Sequence, residues 1–279
     1  MSKNVRIGDI EIGPGRPLTL IAGPCALESL DLALTVGAAV DDLCRRLHIP
    51  FIFKSSYLKD NRTSPGSYAG PGLEDGLAML RAVKERLGVP VLSDVHERSE
   101  IAPACDVLDV LQIPAFLCRQ TRLVRDAART GKPINVKKGQ FMAPDDMVRA
   151  ASKATGEGNA NVMLTERGTS FGYHDLVVDM RGIATMQDAG YPVVFDATHS
   201  VQRPGGAEGV SGGSPEFVPL LTRAAVAAGC DALFIETHVD PSVALSDARS
   251  MVPLESLESI VESALIVGDA IGRPRGRAE

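Results

Sequence analysis

The segment from Phe53 to Leu73 concentrates groups that bind anions. Lys54, Lys59 and Arg62 follow a short apolar run in quick succession, with hydroxyl, amide and glycine residues around them. Arginine binds phosphate through two parallel hydrogen bonds and lysine supplies a point charge, so the segment predicts an anionic ligand. The whole 279-residue chain has a formal net charge of −6. We therefore expect a small anionic ligand and no nucleic acid, because an acidic protein does not attract a polyanion.

Other cations lie further along the chain, and together they indicate a ligand with two anionic groups. The full set is Lys54, Lys59, Arg62, Arg119, Lys137, Lys138 and Arg167. Burying so many unpaired charges would be costly, and one shared polyanionic ligand would compensate them. For any single cation the alternative is a structural ion pair. The acidic residues available for such pairs are Asp94, Glu97, Glu166 and Asp196.

A second candidate site consists of Cys25, His199, Glu236 and Asp247. A thiolate, an imidazole and two carboxylates suit a divalent ion such as zinc, iron or manganese. Their spacing is no local motif, so this prediction depends on a fold that brings them together. Taken singly, Cys25 is also consistent with a small buried apolar residue, and His199 with a polar loop residue.

Short β-branched runs alternate with amphipathic runs along the chain, and this pattern predicts a parallel sheet. The predicted strands are 19–23, 50–54, 89–94, 109–113, 133–137, 161–165, 192–196 and 232–236. The predicted helices are 30–47, 73–87, 98–104, 120–130, 144–155, 176–189, 215–228 and 254–270. Eight βα units in about 250 residues fit a (β/α)8 TIM barrel. A doubly wound sheet is the alternative.

Ionisable or polar residues follow every predicted strand, whereas strand starts carry mostly proline and apolar residues. In a barrel the active site lies at the carboxyl ends of the strands. The residues at these ends are Cys25, Lys54, Asp94, His96, Gln112, Arg119, Lys137, Lys138, Glu166, Arg167, Asp196, His199, Glu236 and His238. This asymmetry predicts an enzyme.

The ends of the chain predict a three-part organisation. Residues 1–17 contain a hairpin pattern around Gly8 that could close the barrel bottom, 18–270 form the barrel, and 271–279 form a flexible tail. The Gly-rich segment 199–217 is a candidate mobile lid. No signal peptide and no apolar stretch long enough for a membrane span are found. Five dispersed cysteines without a CxxC pair are typical of reduced thiols, so we expect a cytoplasmic protein.

Eight segments in order carry most of these residues. They are IAGPCALES (21–29), FKSSYLKDNRTS (53–64), SDVHE (93–97), LQIPAFLCRQT (111–121), INVKKGQF (134–141), LTERGTSFGYHDLVVDMR (164–181), FDATHSVQRPGG (195–206) and FIETHVDPSVALSDA (234–248). They resemble the 3-deoxy-D-manno-octulosonate 8-phosphate synthase family, and the likeness spans about residues 18–265. The resemblance implies a TIM barrel that condenses phosphoenolpyruvate with D-arabinose 5-phosphate and water. The released product would serve lipopolysaccharide (KDO) biosynthesis.

The resemblance also implies a role for individual residues. The phosphoenolpyruvate-binding set would be Lys54, Lys59, Gln112, Ala115, Lys137 and Arg167. The sugar-phosphate set would be Asn61, Arg62, Thr63 and Arg119, with Arg119 reaching a neighbouring subunit of a homotetramer. The catalytic set would be Cys25, His199, Asp247, Lys59, Asp94 and His96. Cysteine at position 25 is typical of the metal-dependent branch, in which Cys25, His199, Glu236 and Asp247 would bind the ion.

The chain departs from the family pattern at Asp60 and at Pro65-Gly66. Arg-Thr-Ser-Pro is closer to the related 3-deoxy-D-arabino-heptulosonate 7-phosphate synthases, which accept erythrose 4-phosphate. That activity is therefore the main alternative. Two other classes are an aldolase forming a Schiff base on Lys54 or Lys137, and a non-catalytic phosphosugar-binding protein.

Overall fold

An antiparallel hairpin opens the part of the chain that the computed structural model describes, residues 4–61, 66–207 and 210–276. β1 (Val5–Ile7) pairs with β2 (Ile10–Ile12) through a turn at Gly8. Val5, Ile7 and Ile12 are fully buried and pack against apolar side chains from the barrel interior. The hairpin therefore closes the end of the barrel at which the strands begin, as its sequence pattern predicted.

Eight parallel strands form a closed barrel, since the eighth strand pairs with both the seventh and the first. They are β3 (Thr19–Gly23), β4 (Phe51–Lys54), β5 (Val91–Asp94), β6 (Val110–Ile113), β7 (Ile134–Lys137), β8 (Val162–Glu166), β11 (Val193–Asp196) and β14 (Ala232–His238). Each strand is buried along its whole length, which explains its continuous apolar sequence. The TIM barrel prediction is confirmed, and the doubly wound alternative is wrong.

Helices surround the barrel and bury one face each against the strands. They are α1 (Leu30–Leu47), α2 (Leu73–Leu87), α3 (Arg98–Cys105), α4 (Thr121–Arg129), α5 (Pro144–Thr155), α6 (Arg181–Asp188), α7 (Val218–Ala227) and α8 (Leu254–Ala270). The predicted helix 176–189 begins five residues too early. Its first residues belong to a strand, because the segment before α6 folds back as a hairpin.

Two hairpins extend from the carboxyl end of the barrel. The first joins β9 (Thr169–Gly172) to β10 (Asp175–Val177) through Tyr173 and His174, both with positive φ, as in a type I′ turn. The second joins β12 (Gln202–Ala207) to β13 (Val210–Gly213), within the segment 199–217 that was predicted as a candidate mobile lid. The two hairpins are joined by an Arg203–Asp175 ion pair at 2.8 Å.

The last described elements are β15 (Val252–Pro253), which pairs with β14, and α8. After α8, Arg273 donates hydrogen bonds to the carbonyls of Gly229 and Cys230, at 3.0 and 2.6 Å. All five cysteines are free thiols. Among the described residues, no helix has both the length and the apolar character needed to cross a membrane.

Candidate active site

A cavity of about 230 Å³ lies at the carboxyl end of the barrel. Its lining includes most of the predicted phosphate-binding and catalytic side chains. The lining residues are Lys54, Lys59, Asp60, Asn61, Asp94, His96, Gln112, Pro114, Ala115, Phe116, Leu117, Lys137, Gln140, Arg167, His199 and Pro204. The cations come from different strand ends, so only the closed barrel brings them to one place.

Cys25, Glu236 and Asp247 lie together beside this cavity, with ligand atoms within 4.8 Å of one another. Cys25 Sγ is 3.1 Å from Asp247 Oδ2. His199 Nε2 lies 3.5 Å from Glu236 Oε2 and 3.8 Å from Asp247 Oδ2, so the imidazole completes the group. Gly23 permits the turn that carries Cys25, because a Cβ there would lie 2.1 Å from the Lys54 carbonyl oxygen.

Glu236 connects the two predicted sites. Its Oε1 forms an ion pair with Lys54 and lies 3.8 Å from Lys59 Nζ. Burial opposes ionisation of Glu236, but His199, Lys54 and Lys59 hold its pKa well below the usual range. Its other oxygen, Oε2, has no hydrogen-bond partner among the described residues. Glu236 therefore contacts Lys54 and Lys59, two lysines of the predicted phosphate-binding set, with one oxygen and faces His199 with the other.

Asp196 forms a second connection, since it contacts Lys137 and His199. Its Oδ2 pairs with Lys137 Nζ and lies 2.7 Å from His199 Nδ1. A carboxylate on the far nitrogen of a metal-binding histidine orients the ring toward the ion. Lys137 Nζ also lies 3.9 Å from the centre of the Phe234 ring, and Lys54 Nζ lies 5.2 Å from it. The ring face thus offers both buried ammonium groups a favourable cation–π contact.

A chain of hydrogen bonds fixes the side chains on the other side of the cavity. Asp94 accepts from Ser56 Oγ at 2.5 Å and from Gln112 Nε2. Gln112 Oε1 in turn accepts from Asn135 at 2.9 Å, and Asn135 Oδ1 accepts from Thr165 at 2.6 Å. Burial opposes ionisation of Asp94, but the cations around it hold its pKa well below the usual range. The chain links four neighbouring strands, β5 to β8, to Ser56 just after β4, and it gives Gln112 one orientation.

Glu100, in α3, binds His96 and also accepts a hydrogen bond from Tyr57 of the loop after β4. Glu100 Oε2 accepts from the His96 backbone N–H at 2.7 Å and from Tyr57 Oη at 2.8 Å, and lies 3.5 Å from His96 Nδ1. Burial alone would lower the pKa of His96, but Glu100 and Asp94 raise it above its usual value.

Arg167 is a buried cation whose side chain is directed at a neutral partner. Its Nη2 donates to Gln202 Oε1 at 2.7 Å, and its Nη1 has no hydrogen-bond partner among the described residues. Arg167 is 4% exposed, and burial lowers the pKa of its guanidinium. An unpaired buried donor of this kind indicates a bound anion.

Comparison with known proteins assigns this arrangement to a family. Residues 2–267 match the DAHP synthetase I family. The chain belongs to this family. Its relatives include proteins named 2-dehydro-3-deoxyphosphooctonate aldolase from several bacteria. The protein from Trichlorobacter lovleyi is 56% identical, over 94% of this chain and 96% of its own length. The protein from Geotalea uraniireducens is 54% identical (97% and 99%), and that from Legionella pneumophila 52% identical (93% and 94%).

Some residues predicted for the site of this DAHP synthetase I family member lie outside the cavity lining. Arg119 is exposed and lies outside the cavity lining. Lys138 also lies outside it: Lys138 Nζ is 3.4 Å from Glu166 and donates to the Gly168 carbonyl at 2.9 Å. Lys138 therefore belongs to a structural ion pair with Glu166, which is the alternative that the sequence analysis gave for any single cation. Arg62 and Thr63 lie outside the described residues.

Sequence reasoning missed several members of the site. The missed residues are Ser56, Asn135, Gln140, Thr165 and Gln202. Ser56, Asn135 and Thr165 lie in or beside strands that are apolar apart from the charged residue at their carboxyl end. A lone buried polar residue in such a strand was the signal available, because it requires a hydrogen-bond partner.

The residues of this family member fit a divalent metal ion. The donor set combines a thiol, an imidazole and two carboxylates, which suits zinc, iron or manganese. Glu236 Oε2 is fully buried and lacks a hydrogen-bond partner among the described residues, although it faces His199 Nε2 at 3.5 Å. A bound cation would satisfy that oxygen.

Proposed function

We propose that this chain condenses phosphoenolpyruvate with D-arabinose 5-phosphate and water, giving 3-deoxy-D-manno-octulosonate 8-phosphate and phosphate. The observation that carries this proposal is the cavity in which Lys54, Lys137 and Arg167 are buried around one space. The names of the relatives favour the same activity and do not favour the heptulosonate alternative. The product is the precursor of the KDO sugar of lipopolysaccharide, and we place the enzyme in the cytoplasm, where its phosphorylated substrates occur.

We assign phosphoenolpyruvate to the deep part of the cavity. Lys54, Lys59, Lys137 and Arg167 neutralise its phosphate and carboxylate, and Gln112 and Ala115 line the same cavity. Neutralisation is required because the second substrate also carries a phosphate, and two anions would otherwise repel each other. Asn61 lies at the cavity wall, and we assign Asn61 and the two residues that follow it in the sequence, Arg62 and Thr63, to the phosphate of the sugar.

Carbon–carbon bond formation starts when C3 of phosphoenolpyruvate attacks the aldehyde carbon of the sugar. Positive charge develops at C2, and the oxygen of water forms a bond there. The C2–O bond to phosphate then breaks, and phosphate leaves with the bridging oxygen. The attacking water loses a proton to Asp247 or Glu236, and that proton passes to the former aldehyde oxygen, which becomes a hydroxyl. The proton of the new C2 hydroxyl leaves with the phosphate when the C2 ketone forms. We assign Asp94 and His96, which line the cavity, to the sugar.

We propose that Cys25, His199, Glu236 and Asp247 hold a divalent metal ion, zinc, iron or manganese. The convergence of their ligand atoms supports this assignment. Bound there, the ion supplies Lewis acidity toward an aldehyde oxygen or acidifies water. Asp196 orients His199 through its Nδ1, so the ring presents Nε2 to the cluster.

We propose further that the enzyme is a homotetramer in which Arg119 reaches the sugar phosphate of a neighbouring subunit. Exposed aromatic side chains at the carboxyl end of the barrel support a contact with a second copy. They are Phe116, Phe141, Phe171 and Tyr173. Mixing two inactive variants, Arg119→Ala and Lys137→Met, tests this proposal. Shared sites regain activity when mixed oligomers form, and an unchanged sum of the two activities would contradict it.

The reaction itself is tested with phosphoenolpyruvate that carries ¹⁸O at the bridging oxygen. Incubation with arabinose 5-phosphate should yield an eight-carbon sugar acid phosphate by mass spectrometry, and the label should appear in inorganic phosphate. Label retained in the sugar acid would exclude the C–O cleavage described above. Borohydride added during turnover should leave the protein mass unchanged, whereas a reduced adduct on Lys54 or Lys137 would indicate a Schiff-base aldolase.

A further inference from the structure

The loop that carries Asp247 has few apolar anchors. It spans residues 239–250 after β14, and its side chains Val243 and Leu245 are 64% and 51% exposed. Asp247 itself has a φ of +47°, in the left-handed region. Such a conformation costs a non-glycine residue about 1–3 kcal/mol and persists only where the surroundings impose it. Polar contacts must therefore hold this loop in place.

Glu28 makes one of these contacts from a different part of the chain. Its Oε1 accepts a hydrogen bond from the backbone N–H of Leu245 at 3.0 Å, two residues before Asp247. The same oxygen lies 3.8 Å from Nε2 of His238, at the end of β14. The side chains of Glu28 and His238 are only 14% and 3% exposed, so the contact between these two side chains is largely shielded from water. Glu28 thus joins the 239–250 loop to the strand from which it departs.

The loop between β3 and α1 carries both Glu28 and Cys25. It is fixed to the next loop, because Leu27 N–H donates to the Ser56 carbonyl at 3.0 Å and Tyr68 Oη donates to the Leu27 carbonyl at 2.6 Å. The β3–α1 loop therefore supplies both the Cys25 thiol of the cluster and the Glu28 acceptor that holds the 239–250 loop, which carries Asp247.

We propose that Glu28 is a positioning residue that holds the 239–250 loop so that Asp247 meets Cys25 in the metal cluster. This inference rests on the metal site proposed above. Loss of the Glu28 acceptor frees the Leu245 N–H and allows the strained backbone at Asp247 to relax away from the thiol. Residues that orient metal ligands in this way typically contribute about 10- to 100-fold to metal affinity.

The test is a cobalt(II) titration of chelator-stripped protein, followed by the thiolate-to-cobalt absorption band that reports Cys25 ligation. Glu28→Ala should bind Co²⁺ at least about 10-fold more weakly than the parent chain. Glu28→Gln retains an oxygen acceptor for Leu245 N–H and should stay within about threefold. Glu262→Ala, an exposed residue of α8, is the matched control and should bind like the parent. The thermal midpoint of the stripped Glu28→Ala protein should stay within about 3 °C of the parent.

Three outcomes would overturn the proposal. Equal Co²⁺ affinity in Glu28→Ala and the parent would show that the hydrogen bond between Glu28 and Leu245 does not position the metal ligands. A fall of more than about 10 °C in the midpoint of the stripped variant would assign Glu28 to general folding. If the parent chain itself gives no thiolate band, the proposed metal site fails first and this inference fails with it.

Discussion

Replacing Arg167 by methionine should weaken phosphoenolpyruvate binding without destabilising the protein. Arg167 is 4% exposed, and its direct hydrogen bond runs to the neutral amide of Gln202. No carboxylate of the described residues forms an ion pair with it within 4.0 Å, whereas Lys138, an equally buried cation, lies 3.4 Å from Glu166. The two cations therefore allow a direct comparison. The charge of Arg167 is available to a ligand, whereas the charge of Lys138 is neutralised by Glu166.

The magnitudes follow from these contacts. A hydrogen bond to a charged group contributes about 1.5–3 kcal/mol, so Arg167→Met should weaken phosphoenolpyruvate binding by about 10- to 150-fold. Removing a buried charge that lacks a close counter-ion also removes its desolvation cost, so Arg167→Met should be neutral or stabilising for folding. Lys138→Met instead leaves Glu166 buried and unpaired, which costs about 3–5 kcal/mol. For a chain of this length that corresponds to a fall of about 10 °C in the thermal midpoint.

The assay is thermal unfolding of the parent and both variants, with and without phosphoenolpyruvate, together with calorimetric titration of the ligand. The parent should gain stability with ligand concentration, and at the same high concentration Arg167→Met should gain about 1.4–3 kcal/mol less. Without ligand, Arg167→Met should melt at or above the parent midpoint and Lys138→Met well below it. A similar fall in both variants would refute the distinction, and unchanged ligand affinity in Arg167→Met would remove Arg167 from the site.

Three further predictions concern the metal, the hairpin and pH. Co²⁺ should tighten phosphoenolpyruvate binding by about 5- to 150-fold, because an ion bound to Glu236 frees Lys54 for the ligand, and phosphoenolpyruvate should tighten Co²⁺ binding by the same factor. Calorimetric titration of stripped and Co²⁺-loaded protein measures this effect. Equal phosphoenolpyruvate affinities in the two forms would contradict it. Ile7→Ala should cost about 2–5 kcal/mol in chemical unfolding, since Ile7 is 1% exposed inside the barrel end; a cost below about 1 kcal/mol would mean the hairpin is not packed there. The raised pKa of His96 means that its pairing with Glu100 stabilises the fold fully below about pH 6.5 and less as pH rises through the raised pKa. The midpoint difference between His96→Gln and the parent should therefore shrink from pH 6 to pH 9, and a constant difference would contradict it.

The barrel was predictable because each strand is buried along its length and ends in, or is soon followed by, a polar residue. Continuous apolar runs such as 232–236 placed the strands to within two residues. The hairpin β9–β10 was not predictable in this way, since its residues are exposed and its turn uses Tyr173 and His174 with positive φ, a conformation that their side chains do not indicate. Exposed hairpins leave no periodic apolar pattern.

The candidate site was predictable in its charges and not in its pairings. Residue types could not show that Lys138 pairs with Glu166 while Lys54 pairs with Glu236, because both lysines end or follow a strand. The direction in which each side chain points depends on the alternation along the strand, and adjacent residues such as Lys137 and Lys138 point to opposite sides. Asn135 and Thr165 were missed because a single polar residue inside a strand has no partner that sequence alone can identify.

The most direct test of the account is phosphate release from phosphoenolpyruvate by chelator-stripped protein. Arabinose 5-phosphate and erythrose 4-phosphate are supplied separately, each with and without added Zn²⁺, Fe²⁺ or Mn²⁺. The account predicts release with the five-carbon sugar only when a metal is restored. Release without metal would contradict the assignment of Cys25 as a ligand, and preference for the four-carbon sugar would contradict the octulosonate activity.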